Sequence, residues 1–406
     1  MTQPRRVLFV TLLNDPGSDR IVSETGRLGA HCAVVGPIDA FAAKSRFVQR
    51  IFPLPTRGGG VLRSLLLGRR LEGIIAAWSP DMIVPTDDLA ARVLRDGRLF
   101  RRAGPKLRSL IEFSLGAAEF FDAACSRQAL MEVAQRVGVR TPRTAAAPNL
   151  AAAKCAAAAF GYPVVLKREL SCGGAGVTIL HSEVDLVRAF RREWVWAQAK
   201  RRLGWISGYR VAEAVPLSLQ EFIPGALAFR VSACAGGLEL EGADFVAERR
   251  GPWETGASTL VRSFSHEAMR EAARKIVAAL KCSGFVSLDF IIKNDEEAYL
   301  LELNARPIAC GHLGRLFGHD ILAAALGRGG VAPPPRPAVS RPPDIVALFP
   351  RELDREPRSL DLAPGSNVYH DVPWEDREVV EAYSAWLDRR HPDRRPVLKP
   401  QVSWSL

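Results

Sequence analysis

One short stretch constrains the fold of this chain more than any other. Phe285–Lys293 is rich in apolar residues, Asn294-Asp295-Glu296 is turn-forming, and Ala298–Leu303 is a second apolar run. Two such runs around a short polar turn predict a β-hairpin. With the turn centred between 295 and 296, Asp289 and Glu302 are equally far from the centre and face each other across the ladder. Asn304 lies two residues past Glu302 and shares its face, and Arg306 lies two further on. The flanking Leu288, Phe290, Leu300, Leu301 and Leu303 predict a largely buried hairpin. Buried carboxylates without partners are costly, and two in opposition repel unless a cation sits between them. Two carboxylates and an amide are hard oxygen donors that suit Mg2+, which completes its shell with phosphate oxygens and water. Asp289, Glu302 and Asn304 are thus candidate metal ligands, and Arg306 a bidentate partner for phosphate or carboxylate. The alternative is a hairpin with solvated acids on one face.

A second motif lies upstream. Val164–Lys167 reads as a strand, Ser171–Gly176 as a glycine-rich loop and Val177–Leu180 as the next strand. Glycines let backbone N–H groups wrap a phosphate, and here the loop joins two strands rather than opening a helix as a Walker loop does. It is read as a flap over polyphosphate, with Lys167 at the strand end reaching a phosphate oxygen. Only nine of the 55 Lys and Arg residues are lysines, which makes the position of Lys167 informative. Alone, the motif is as well read as an ordinary glycine-rich hairpin. A third motif is Leu219-Gln220-Glu221-Phe222-Ile223-Pro224-Gly225. Such a crossing offers backbone polar groups to an adenine edge and Leu219, Phe222 and Ile223 to its faces. Alone, it is a strand ending in a Pro-Gly turn.

The order of the three motifs is what carries specificity. Lysine strand, glycine flap, Q-E-F-I-P-G crossing, strand with Asp, then E-x-N-x-R resembles the ATP-grasp superfamily from about Ala124 to Leu326. The resemblance implies an α/β and α+β architecture: an ATP-grasp fold of two α+β subdomains after a Rossmann-like parallel-sheet domain, with a small C-terminal extension. It places the boundaries at 1–105, 106–332 (subdomains about 124–215 and 216–332) and 333–406. It implies ATP as nucleotide and Mg2+ as metal, with Mn2+ the alternative. Lys167, Ser171, Gly173, Gly174 and Gly176 match the phosphate contacts, and Gln220, Glu221, Phe222 and Ile223 the adenine hinge. Asp289, Glu302 and Asn304 match the metal ligands, Arg306 the arginine beside the transferred phosphate, and Arg230 a further phosphate or substrate contact. Two departures stand out. Ser126-Arg127 replaces a Lys-containing pair, and no acid follows Gly225 for the ribose, leaving Glu221 as a substitute. The implied chemistry joins a small carboxylate to an amine through an acyl phosphate, releasing ADP. A phosphotransferase without ligation and a non-catalytic nucleotide-binding protein are the alternatives, the last disfavoured by the intact Asp/Glu/Asn set.

The rest of the chain bounds this reading. Strand and helix signals alternate over 1–105: Val7–Leu13, Ser18–Leu28, Cys32–Val35, Ser64–Trp78 and Asp81–Pro85. That alternation predicts a covered parallel sheet, and no G-x-G-x-x-G follows the first strand. The resemblance implies that Pro80–Asp88 is a central strand end lining the substrate site. Further helices are expected at 126–137, 150–160, 183–200 and 266–281, and near 375–390 after six prolines in Pro333–Pro343. Arg5 and Arg6 before Val7–Leu13, followed at once by Asn14-Asp15-Pro16, read as a strand and not a signal peptide. No apolar run approaches bilayer length, so no membrane partner is expected. Seven scattered cysteines without a C-x-x-C pair suit a reducing cytoplasm. The net charge of +11 includes no basic tail, so nucleic acid is not expected and small anionic substrates are; a homodimer is the candidate assembly. Glu248–Phe264 reads as a polar loop bordering the acceptor site, with Arg249, Arg250 and Arg262 as anion contacts or solvated side chains. His312 is a weak candidate base.

Overall fold

The computed structural model describes residues 5–57, 59–169, 174, 176–206, 217–251, 253, 255–328, 342–357 and 368–393. The chain opens with β1 (Arg6–Val10), β2 (His31–Pro37), β3 (Val48–Leu54) and β4 (Met82–Pro85), a parallel sheet in the order β3-β2-β1-β4. Helices Ser18–Arg27 and Gly59–Trp78 cross between its strands, and Leu67, Leu71, Ile74 and Ile75 bury one face of the second. Strand order reverses direction at β1 and β4, so the loops after these two strands diverge and leave a crevice at their C-terminal ends. β3 has no counterpart in the sequence reading. It is an edge strand with Gln49, Arg50 and Pro53 exposed, so neither alternation nor an apolar run marks it.

The second sheet holds β5 (Thr144–Ala146), β6 (Val164–Arg168), β7 (Val177–Leu180) and β8 (Leu217–Glu221) in the order β5-β8-β6-β7. Helices Leu150–Phe160 and Glu183–Ile206 cover one face through Ala153, Ala157, Leu186 and Phe190. On the longer helix Trp194 stacks on Phe190 while Trp196 is exposed, as their spacing requires. Pro224-Gly225 then carries the chain into the third sheet.

That sheet is the largest. β9 (Ala226–Ala235), β10 (Leu238–Gly251), β11 (Ala257–Phe264), β12 (Gly284–Ile292), β13 (Ala298–Asn304), β14 (Ile345–Ala347) and β15 (Val368–His370) lie in the order β13-β12-β9-β10-β11-β14-β15. Glu248–Phe264 is therefore not a loop. Glu248–Gly251 and β11 are paired strands, and only the tip between them turns. The β12–β13 turn is centred on Asp295 and not between 295 and 296: Ile292 pairs with Ala298 and Phe290 with Leu300. Asn294 Oδ1 closes it by accepting from the N–H groups of Glu296 and Glu297. Leu301 then bulges, and the ladder resumes with Asp289 opposite Glu302.

The segment beyond the proline-rich stretch does more than append a helix. β14 and β15 extend the large sheet, and helix Arg377–Arg390 packs on the first sheet's flank, with Tyr383 stacked on Phe41 at 4.0 Å between ring centroids. One core runs from Phe9 and Val34 through Leu313 and Ile321 to Phe229 and Val346, so the first and third sheets share an interior. Among the described residues no helix is long and apolar enough to cross a membrane, and the six described cysteines are unbridged.

The fully buried Tyr383 hydroxyl donates to Asp19 and accepts from the Gly17 N–H at 2.6 Å. Tyr383→Phe leaves Asp19, itself pushed up by burial, short of a donor. The expected cost is about 1–3 kcal/mol, read as a lower urea midpoint with an unchanged slope.

Candidate active site

A cleft of about 330 Å3 lies between the second and third sheets and reaches the strand-end loops of the first. Each wall is set by strand alternation. On β6 and β8 Val165, Lys167 and Gln220 face the cleft, whereas Leu166 and Leu219 pack under the covering helices. Leu219 is therefore not available to adenine. The apolar slot is instead made by Val165, Ile179, Phe222, Ile223, Leu227 and Ile291.

The third sheet presents Asp289, Leu301, Glu302 and Asn304. The bulge makes this possible. Ala298 and Leu300 face the helix-covered core, and regular alternation would send Glu302 after them. The extra residue turns both Leu301 and Glu302 to the cleft. Asp289 then accepts from Asn304 Nδ2 at 3.1 Å, and Glu302 accepts from Arg127 Nη2 at 2.8 Å. Arg127 opens helix Arg127–Arg136, whose first turn is capped by Ser126 Oγ accepting from the Ala129 N–H. Its other arm reaches Glu169 at 3.4 Å.

The opposed acids are thus relieved without a metal. Burial and the facing Glu302 push the Asp289 carboxyl well above the usual carboxylate range. Burial acts on Glu302 in the same sense, but the charge and hydrogen bond of Arg127 outweigh it and hold Glu302 below its ordinary value. Repulsion alone does not demand a cation here. The donor set nonetheless fits Mg2+: two oxygen acids and an amide oxygen converge on an open cleft, leaving room for other ligands. Among the described residues no three His, Cys, Asp or Glu side chains form a closed metal cage.

Lys167 is 5% exposed and makes no side-chain hydrogen bond or ion pair among the described residues. Burial, reinforced by the nearby Arg127, lowers its ammonium to about 7. An unpaired buried ammonium is a waiting anion site. Gly174 and Gly176 sit at φ +78° and +88° on the flap end, and a Cβ on Gly174 would lie 1.6 Å from the Thr255 carbonyl oxygen. The β10–β11 tip thus abuts the flap. Ser171 and Gly173 lie outside the described residues. Glu221 is taken by Arg143 through both carboxylate oxygens.

Arg306 lines the cleft and forms a bidentate pair with Asp88, 2.8 Å on each arm. Asp88 opens the helix Asp88–Leu94 that follows β4, the strand expected to line the substrate site. The adjacent Asp87 is structural, accepting from the Leu12, Leu13 and Ala90 N–H groups. Arg230 is not in the cleft. It pairs across β9 with Leu288, on the helix-covered face, and is consumed by Glu239 and Asp244. Of the three arginines near the β10–β11 tip, Arg249 pairs with Glu352 and Arg262 with Glu248, and only Arg250 lines the cleft. His312 bonds Asp371 at 2.9 Å outside it. Sequence reasoning missed Asp15 and Arg351, both lining the cleft. Asp15 carried one available signal, its place directly after the first strand; Arg351 carried none.

The profile of the ATP-grasp domain family matches residues 126–310. The chain carries an ATP-grasp domain. The carbamoyl phosphate synthase large chain of Thermus thermophilus is 31% identical over 129 residues, 30% of this chain and 12% of that one. A formate-dependent phosphoribosylglycinamide formyltransferase of Burkholderia mallei is 26% identical over 239 residues, 55% of this chain and 57% of that one. The matched stretch therefore spans between 12% and 57% of the length of these relatives. Among solved structures, the biotin carboxylase domain of Hydrogenobacter thermophilus 2-oxoglutarate carboxylase, a complex with MgADP and bicarbonate, superposes with TM-score 0.58 at 17% identity, covering 80% of this chain and 69% of that one. The L-amino acid ligase of Bacillus licheniformis does so with TM-score 0.53 at 14% identity, covering 80% and 75%. These likenesses show the ATP-grasp fold.

Lys167 gives a pH signature for the nucleotide-free domain. Its ordinary value is 10.5, against about 7 when folded. Between those values the unfolded chain holds a proton that the folded chain has lost, so this residue's contribution to stability grows as pH rises. Urea midpoints of wild type relative to Lys167→Met are expected to rise from about pH 7 to pH 9; a flat difference contradicts the assignment.

Proposed function

We propose that this protein is an ADP-forming ligase that activates a small carboxylate with ATP and joins it to an amine. The observation that carries the reading is the bulge-set pair Asp289 and Glu302, with Asn304, facing the buried Lys167 across a cleft of the ATP-grasp domain. Asp289, Glu302 and Asn304 would hold Mg2+, and Lys167 with the flap backbone at Gly174 and Gly176 would hold the phosphates of ATP. The apolar slot between Val165 and Ile291 takes the base, beside the Glu221–Phe222–Ile223 crossing. Bound Mg2+ supplies positive charge that offsets the charge moving onto the leaving phosphate.

The protein residues position and neutralise; none serves as nucleophile. The substrate carboxylate oxygen attacks the terminal phosphorus, a new O–P bond forms, and the bond to ADP breaks with its electron pair. The amine lone pair then attacks the acyl carbon, the C–O bond to phosphate breaks, and the amine proton passes to phosphate or water. Arg306, oriented by its two bonds to Asp88, stands where the acyl phosphate carries its charge. The β10–β11 tip, packed against Gly174, keeps water from the acyl phosphate.

Glu302→Ala removes one metal ligand and frees Arg127 from its partner. Carboxylate-dependent ADP release is expected to fall by at least about a hundredfold with the circular dichroism unchanged; full turnover in this variant removes the catalytic reading. Product analysis separates ligation, which yields an amide, from transfer that stops at a stable phosphorylated product.

A further inference from the structure

Most charged side chains lining the cleft are already engaged. Arg127 is on Glu302, Arg306 on Asp88, Glu221 on Arg143, Asp289 on Asn304, and Arg250 on the Gly256 carbonyl. Among the described residues three charged cleft side chains make no hydrogen bond or ion pair: Lys167, Asp15 and Arg351. Lys167 is accounted for by the phosphates. The remaining two have opposite sign.

They also stand together. Asp15 and Arg351 border both the main cleft and a small adjoining cavity shared with Thr86 and Arg306. Burial lowers the Arg351 guanidinium, and the charges that act on it most are Asp15, then Arg306. Yet Asp15 and Arg351 form no direct salt bridge. Both are fixed by their surroundings. The Asp15 loop follows β1 at the crevice of the parallel sheet, pinned by Asn14 Oδ1 accepting from the Phe41 N–H at 2.9 Å and by the Gly17 N–H donating to Tyr383. Arg351 opens the short helix Arg351–Arg355, anchored by the buried Glu352 on Arg249 and Arg355. Two half-buried opposite charges held near one another but apart are satisfied by a ligand of inverse polarity: an anion for the arginine and a cation for the aspartate.

We propose that Arg351 and Asp15 bind the α-carboxylate and α-ammonium of a free amino acid, which serves as the acyl donor. The donor role rests on the ligase reading above; the binding pair does not. A carboxylate on Arg351 sits beside Arg306, hence at the metal end of the cleft, while the ammonium points to the strand ends of the first sheet. Held by Asp15, the ammonium keeps its proton and has no lone pair to attack an acyl carbon. The amine that receives the acyl group therefore comes from a second molecule.

The test is calorimetric titration of wild type, Asp15→Asn and Arg351→Gln with each proteinogenic L-amino acid. Each amino acid that binds is followed by its des-amino analogue, the same acid with hydrogen in place of the ammonium. Asp15→Asn is expected to weaken amino-acid binding by about tenfold or more and to leave the analogue unchanged, while Arg351→Gln weakens both. No amino acid binding to wild type, or an Asp15→Asn effect that is absent or equal for both ligands, overturns the assignment. Should Asp15→Asn fail to fold, wild type alone decides: preference for the amino acid over its analogue supports the pair, and equal affinity overturns it. ADP release separates the two proposals. Amino acids that bind as described but support no ADP release with any amine sink the ligase reading and leave the binding pair. ADP release with plain carboxylates and none with amino acids overturns the pair and leaves the ligase.

Discussion

A single extra residue in one strand governs the chemistry available to this cleft. Without the Leu301 bulge, the alternation that buries Ala298 and Leu300 would bury Glu302 beside them, against the helix Glu267–Ala279. A carboxylate there would have no partner and a large desolvation cost. With the bulge, Glu302 crosses to the open face, lands opposite Asp289, and brings Leu301 along into the cleft wall. The same step fixes Asn304 and Arg306, which follow at even spacing on the restored ladder. A bulge is therefore a positioning device here, and its sequence trace is faint, because the apolar run Leu300-Leu301 fits either register.

Placing two acids in opposition sets a second constraint. The apposition is stable in the free protein because each acid is handled differently: Asp289, its carboxyl pushed up by burial and by Glu302, takes the Asn304 amide, and Glu302 takes a guanidinium. A divalent cation between them would compete with the Asn304 amide on one side and with Arg127 on the other. Metal affinity is then a difference between two well-made arrangements, and not simple relief of repulsion. Arg127 is suited to this. Its planar guanidinium already spans Glu302 and Glu169, so it holds a second acid when the first is claimed. A lysine in its place would bring a compact ammonium without the planar two-armed fork.

The legible parts of the sequence were those that local spacing decides. The hairpin pair, the buried strand lysine, the glycine flap and the crossing after Glu221 all follow from short-range pattern, and the cleft gathers their described members. The opposition of Asp289 and Glu302 was reached with the wrong turn centre, since the misplaced centre and the unseen bulge offset each other. Where a face had to be chosen without a marker, reading failed. Arg230 and Leu219 lie on the right strands but point to the helix-covered side. Counting parity from Asp289 through the β12–β9 pairing puts Phe229, not Arg230, on the cleft face, but that pairing is not visible before the sheet is built. Asp15, Asp88 and Arg351 were harder still, because they meet only when strand ends, hairpin and C-terminal segment are brought together.

That meeting explains why the segment after residue 342 matters to the cleft although it holds no recognisable motif. β14 pairs with β11, Leu348 and Arg351 follow it into the cleft wall, and Tyr383 returns to hold the loop that carries Asp15. Meanwhile the Arg306–Asp88 pair ties the same hairpin to the first sheet. Both side chains of that pair are less than a fifth exposed, at 13% and 17%, so removing either partner would strand a charge in a desolvated place. The proposed substrate end of the cleft is thus assembled from four distant stretches, whereas the proposed nucleotide end is built within the ATP-grasp domain alone. Variation in substrate among chains of this architecture can then proceed by changing the first stretch and the last, leaving the bulge and its acids untouched.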